Sequence, residues 1–409
     1  MQSPHPVNSL KGLFCILRTN ISRLLRFLPG SSTVIGPPRN IIKSTPCQIE
    51  NYSSTFQGAF STILLRPRRS IHRCSPLHAD PPIAELFNQM RSGIIKEQFV
   101  AQLEKGRYWG RSSGYIINSD DSLHRDLSPS FEDVTFEAPL LKPHDGMLQP
   151  KLPKVANLRG VVASLNTLFS SNFHHWLLDC VPKFGLLKDA GYELDNFDYF
   201  VLTAPVSPWH LEVLRYLHIP LSKIITSSPR LHIRADHLIV PSFSEPSRQP
   251  HKYNYTPEGL DFVRRLILGR SSTFSSYPEK IIVSRERTAC RRLLSSSEIY
   301  PVLEREGFVK VLLEDLSLAE QAMLFFSAKS IIMPTGGGLA NLAFCGSNAH
   351  VIELFSPAYM PTFSLVLASE LGFQYTALVG EDIAGSSGHS DAGGSQDILI
   401  KLEHLIAHI

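Results

Sequence analysis

The chain has no Cys-x-x-Cys pair, although it holds six cysteines: Cys15, Cys47, Cys74, Cys180, Cys290 and Cys345. Thiols scattered in this way supply neither a zinc site nor a disulfide framework. Cys180, Cys290 and Cys345 fit reduced packing residues, and a reducing compartment is the simpler fit. Long apolar runs are also missing. The longest early one, Gly12–Leu17, is followed by Arg18, Arg23 and Arg26, whereas a membrane-spanning helix needs about 20 predominantly apolar residues. No transmembrane segment is therefore expected. No Gly-x-Gly-x-x-Gly follows a first strand, and no Gly-Lys-Ser/Thr closes a glycine loop. Both absences disfavour a dinucleotide oxidoreductase and a P-loop NTPase. Asp-x-Asp is absent too, since Asp120 and Asp121 are adjacent, so a metal-chelating sugar-transfer site is not expected.

Acidic residues are nearly missing from the first 80 positions, which hold ten Lys or Arg against Glu50 and Asp80. The remaining 30 basic and 35 acidic residues leave the rest mildly acidic, without the basic footprint of a nucleic-acid binder. Residues 1–82 have many breakers and no sustained period, and are read as a disordered basic extension. Three origins stay open for it: a transit peptide, a disordered tail, or an over-extended start. A cytoplasmic location is expected, with organelle import through this Ser/Arg-rich segment as the alternative.

What is present is alternation. A helix-like pattern covers 83–105, and 106–158 is mixed, with one strand over Val134–Pro139. From 158 the text reads strand (160–164), helix (173–187, broken at Pro182), strand (199–203), helix (208–217) and strand (238–240). A helix follows at 256–268, with Thr256 as N-cap and Pro257 in its first turn. Polar residues 271–278 mark a boundary. Strands at 280–284, 308–312, 331–333 and 350–354 then alternate with helices at 297–306, 318–328 and 339–344. Residues 384–396 read as a flexible loop before an amphipathic end. Strand–helix alternation argues for parallel sheets covered by helices. The expected division is 83–270 and 271–409, two α/β domains with a cleft between them.

Three clusters carry chemistry. The first is Pro334-Thr335-Gly336-Gly337-Gly338 between a strand and a helix. Glycines there let backbone N–H groups approach a phosphate, at the positive end of the helix. The plainer alternative is a tight turn without a ligand. The second is Ser284 to Arg292, with four arginines beyond a strand end. Arginine forks match phosphate oxygens, whereas the alternative is a solvated basic loop. The third is Asn172-Phe173-His174-His175-Trp176-Leu177-Leu178-Asp179. In a helix, His175 and Asp179 share a face. A carboxylate beside an imidazole fixes its tautomer and suits a general base, whereas the alternative is a polar pair that only anchors the helix. His174 points away and is the weaker candidate. Glu353, at a strand end, reads either as a ribose ligand or as a structural acid. Glu320 reads as a local cap, Trp176 and Trp209 as core, and Tyr253 and Tyr255 as possible groove residues.

Taken in order, these clusters, with Leu316–Gln321 between the last two, resemble the family 61 glycosyltransferases over roughly residues 155–360. The resemblance implies a GT-B fold, two Rossmann-like domains facing across a cleft, and inverting transfer from a nucleotide sugar, a UDP-sugar by preference, to a hydroxyl of a glycan or glycoconjugate. It places His175 and Asp179 on the acceptor side. It places Arg285, Arg292, Thr335, Gly336, Gly337, Gly338, Asn341 and Glu353 on the donor side, with no cofactor and no metal. One departure stands out: many members carry His where this chain has Thr335. Two rivals remain, a nucleotide-sugar epimerase or hydrolase of the same fold and a non-catalytic nucleotide- or glycan-binding protein.

Overall fold

The computed structural model describes residues 10–26, 35–43, 45, 60–130, 144–242, 255–269, 277–383 and 396–409. The fold is mixed α/β with several sheets. The expected strand at Val134–Pro139, most of the 271–278 boundary and most of the 384–396 loop lie outside the described residues, as do the masked parts of 1–59.

The first sheet is mixed. Its centre is His232–Pro241, which pairs in parallel with Ala156–Ser164 and antiparallel with Gln98–Glu104 and Arg107–Trp109. Ala156–Ser164 continues in parallel to Tyr199–Leu202, and that strand to Ile224–Thr226. The other edge runs through Tyr115–Ile117 and Ser122–His124 to Asn40–Ile42. The second sheet is fully parallel, in the order Val309–Val311, Lys280–Val283, Ser330–Pro334, His350–Phe355, Gln374–Val379 and His78–Ala79. Its central strands are apolar on both faces because both are covered. Ile281 and Ile331 pack toward the first sheet, whereas Ile282 and Ile332 join Ile398 and Leu405 on the outer side.

The two sheets share one interior. A continuous apolar cluster runs from Ala163, Trp176 and Phe184 to Ile281, Met333 and Leu342. Helix Pro257–Leu268 bridges them. Its Thr256 cap accepts from Gly259 N–H at 3.1 Å, and Pro257 opens it. From the same helix Arg264 donates to the carbonyls of Ala343 and Cys345, the latter at 3.0 Å. This places a cation at the carbonyl end of the segment after the glycine turn, where it is favourable.

Three expectations need correction. Residues 60–82 are not a disordered extension: Phe60–Arg66 pairs with Gln98–Glu104, Arg69–His72 with Ser92–Ile95, and His78–Ala79 with the second sheet. Residues 10–26 form a helix. The helix expected over 83–105 is confined to Pro81–Gln89 and gives way to strands at 92–95 and 98–104. Gly93 and the β-branched Ile94-Ile95 favour extended chain, and two sheet partners reward it. Among the described residues, no helix is long and apolar enough to cross a membrane.

Candidate active site

Numbered by sequence within the second unit, the sheet order is 2-1-3-4-5, with His78–Ala79 added at the far edge. In such sheets a ligand site forms beyond the carboxyl ends of the strands where the order reverses. The reversal here lies between Lys280–Val283 and Ser330–Pro334. Those two strands lead directly into the arginine cluster and the glycine turn. A cavity of about 200 Å³ opens at this point, lined by Phe173 and Trp209 from the first unit and by Arg285, Glu314, Gln321 and Gly338 from the second.

On the first unit's side a short helical turn starts at Phe173. Asn172 caps it, its side chain accepting from His174 N–H at 2.9 Å. The Asn172 side chain also lies against Gly337, so the start of this helix meets the glycine turn. The helix then widens to a π-turn over Trp176–Cys180, where Val181 N–H reaches back to the Trp176 carbonyl, before an α-helix resumes through Asp189. Inserted turns of this kind are frequent at functional sites. His175 Nδ1 lies 2.7 Å from Asp179 Oδ2, and both side chains are partly exposed. A carboxylate only accepts, so Nδ1 carries the proton and Nε2 keeps its lone pair. Phe169 packs beside the His175 ring with a left-handed backbone, φ 59°. That conformation is uncommon for a bulky residue. His174 is buried, 2.6 Å from the Tyr255 hydroxyl and packed edge-on against Phe363. Its burial holds it well below the ordinary histidine range. Tyr255 is thus part of the core and not of a groove; Tyr253 lies outside the described residues.

On the second unit's side, Arg285 is half-buried. Its Nη2 donates to the Cys290 carbonyl at 3.2 Å, and its Nε is buried with no hydrogen-bond partner among the described residues. Burial and then the nearby Arg291 lower its pKa. Both effects disfavour a cation that lacks an anion, and a bound phosphate relieves both. Gly336 is extended, at φ 165°, so the need for glycine there is one of space: a Cβ would clash with the Arg285 guanidinium. The other arginines divide differently from expectation. Arg292 turns outward, its Nε and Nη2 3.1 and 2.7 Å from Asp397 Oδ2. Arg287 pairs with Asp315 at 2.5 Å. Arg291 lies over the Tyr359 ring. Of the four, Arg285 lines the cavity.

Three expected donor residues lie beneath the turn instead of facing the cavity. Asn341 is fully buried. It donates to Gln321 Oε1 at 2.8 Å and to the Gly338 carbonyl at 3.1 Å, bracing the turn from behind. Thr335 is fully buried as well, its N–H donating to the Leu354 carbonyl at 2.8 Å. Its hydroxyl stands against Glu353. Glu353 is also fully buried and accepts from the Tyr375 hydroxyl at 2.7 Å. Burial pushes its carboxyl up to about 7. The segment after the turn is the 3-10 helix Gly337–Phe344, not an α-helix. Glu320 caps its own helix, accepting from Ser317 N–H at 2.8 Å.

Sequence reasoning missed the cavity walls. Trp209 is a wall residue as well as a packing one. Lys183 was also overlooked, although it stands four residues beyond Asp179. It is buried, its Nζ donates to the Asn166 carbonyl at 3.3 Å, and burial pushes it down to about 8.

A model of the family described as Glycosyltransferase 61 matches residues 173–352. The match begins at the Asn172-capped helix and ends one residue before Glu353, so it takes in His175, Asp179, the arginine cluster and the glycine turn. No curated protein matches the chain. The chain carries a family 61 glycosyltransferase region. The family supports glycosyl transfer as the reaction class, with a sugar donor and a glycan acceptor.

Proposed function

We propose that this family 61 glycosyltransferase chain is an inverting enzyme that moves a sugar from a nucleotide diphosphate donor, UDP by preference, to a hydroxyl of a glycan or glycoconjugate, on a GT-B-like arrangement of its two α/β units. The observation that carries the reading is the meeting of three elements at one topological switch point. Arg285 and the Gly336–Gly338 turn come from adjacent strands, and the capped helix start bearing His175 abuts Gly337.

His175 is not among the residues lining the cavity, and Asp179 borders a second pocket with Pro182 and Lys183; the acceptor side of the proposal is supported by the contact of Asn172 with Gly337. His175 Nε2 takes the proton of the acceptor hydroxyl while Asp179 holds the tautomer. The acceptor oxygen attacks the anomeric carbon as the bond to the diphosphate oxygen breaks. Negative charge grows on the leaving diphosphate, where Arg285 and the turn supply fixed positive charge and backbone N–H dipoles. Each bond made is matched by one broken, and the configuration at the anomeric carbon inverts. Trp209 and Phe173 wall the cavity from the first unit.

The test is a thermal-shift screen of UDP, GDP and their sugars, followed by product analysis. A ligand of the folded state raises the melting temperature by mass action. The expected result is a shift with one uridine nucleotide, lost in Arg285→Ala, and transfer to an added glycan pool. Release of free sugar alone would favour a hydrolase. Binding with no turnover on any acceptor would favour a binding protein.

A further inference from the structure

The far edge of the parallel sheet gathers side chains for which sugar transfer has no use. His78 lies in the edge strand, Asp80 follows it, and His404 sits on the C-terminal helix Leu402–Ile406. Asp80 Oδ1 is 3.2 Å from His78 Nε2 and 3.3 Å from His404 Nε2. The three donor atoms lie within 4.8 Å of one another, and each residue is part-exposed.

We propose that His78, Asp80 and His404 form a binding site for a divalent transition-metal ion, zinc by its donor set. Two imidazoles and one carboxylate suit zinc, and not the all-oxygen sets of magnesium or calcium. The spacing agrees as well. Tetrahedral zinc with ligands at about 2.0–2.1 Å places neighbouring ligand atoms about 3.3 Å apart, which matches both nitrogen–oxygen distances. The two imidazole nitrogens lie within 4.8 Å of each other.

Two further contacts prepare the site. Asp80 Oδ2 accepts from Val379 N–H at 2.6 Å, so the carboxylate is already aimed, as outer contacts to metal ligands commonly are. The ring of His408 lies 4.2 Å from that of His78, and its Nδ1 faces the His404 carbonyl at 3.0 Å. This packing steadies the His78 ring; His408 stands outside the three-residue group, which leaves a water as the fourth ligand.

The site stands apart from the cleft. Three strand spacings, roughly 14 Å, separate His78–Ala79 from Ser330–Pro334. The ion is therefore a clamp that ties the C-terminal helix to the sheet edge, not a participant in transfer.

The experiment is calorimetric titration of the chelator-stripped full chain with zinc chloride, paired with melting curves. One zinc per chain is expected, with a raised melting temperature that magnesium does not reproduce. His404→Gln, on a short terminal helix where folding is safe, weakens binding by roughly 100-fold or more, at the upper end of what lost supporting contacts cost at metal sites. Cys74→Ser, which removes an exposed thiol, leaves binding unchanged. No zinc uptake by the wild-type chain overturns the proposal. So does full affinity in both His404→Gln and His78→Gln.

Discussion

The Arg285 guanidinium fills the space that a side chain on residue 336 needs. Cation and glycine turn are thus fitted to each other across two adjacent strands. Gly336→Ala must push the guanidinium aside, since the clash is with the group that lines the cavity. We expect the variant to fold and to bind nucleotide at least tenfold more weakly, a loss of about 1.4 kcal/mol. Titration with UDP, with circular dichroism as the folding control, checks this; unchanged affinity would separate Arg285 from the donor.

The arginines of one cluster should behave unequally. Arg285→Ala removes charged hydrogen bonds to phosphate, worth roughly 1.5–3 kcal/mol, and weakens nucleotide binding by tenfold or more. Arg292→Ala disturbs only an exposed pair with Asp397 and should leave affinity within about twofold, because such pairs contribute little. Equal losses in the two variants would refute the division.

His175→Ala should lower turnover by about 10²- to 10⁴-fold, the range of general acid–base catalysis, without weakening nucleotide binding. Asp179→Asn should cost less and displace the pH–rate profile, since the amide no longer enforces the tautomer. Near wild-type transfer by His175→Ala would remove the base assignment.

Glu353 carries a pH signature. Its folded pKa is about 7, against the ordinary 4.5. Between those values the folded chain keeps a proton that the unfolded chain has released, so its contribution to stability falls as pH rises through that window and stays low above it. Glu353→Gln cannot ionise and should gain on the wild type from pH 4.5 to 7, by at most ~3 kcal/mol. Melting curves at several pH values check the sign; parallel profiles would contradict it.

Legibility in the sequence followed locality. From residue 156 to 355 most strands and helices are announced by their own residues, Ile224–Thr226 excepted: Thr256 and Pro257 open a helix, and paired isoleucines mark strands covered on both faces. His175 and Asp179 were legible because one helical turn separates them. Gln98–Glu104 was not, since it is buried nearly throughout and owes its form to Phe60–Arg66 and His232–Pro241, distant in the chain. The direction of Arg292 depends on Asp397, 105 residues on. Glu353 is bonded by Tyr375 from the next strand, and Thr335 is tied to the Leu354 carbonyl of the strand beside it. Spacing places a residue on an element, but only the partner strand decides whether it meets solvent or core.

The apolar interior common to both sheets bears on modular exchange. A chimera cut near residue 270, made to swap donor preference by trading the second unit, severs Trp176 and Phe184 from Ile281 and Leu342 and takes Arg264 from the carbonyls it caps. Such a hybrid inherits two mismatched half-interiors. Retargeting this scaffold calls for changes confined to the cavity wall, at Trp209, Glu314 and Gln321, within an intact chain.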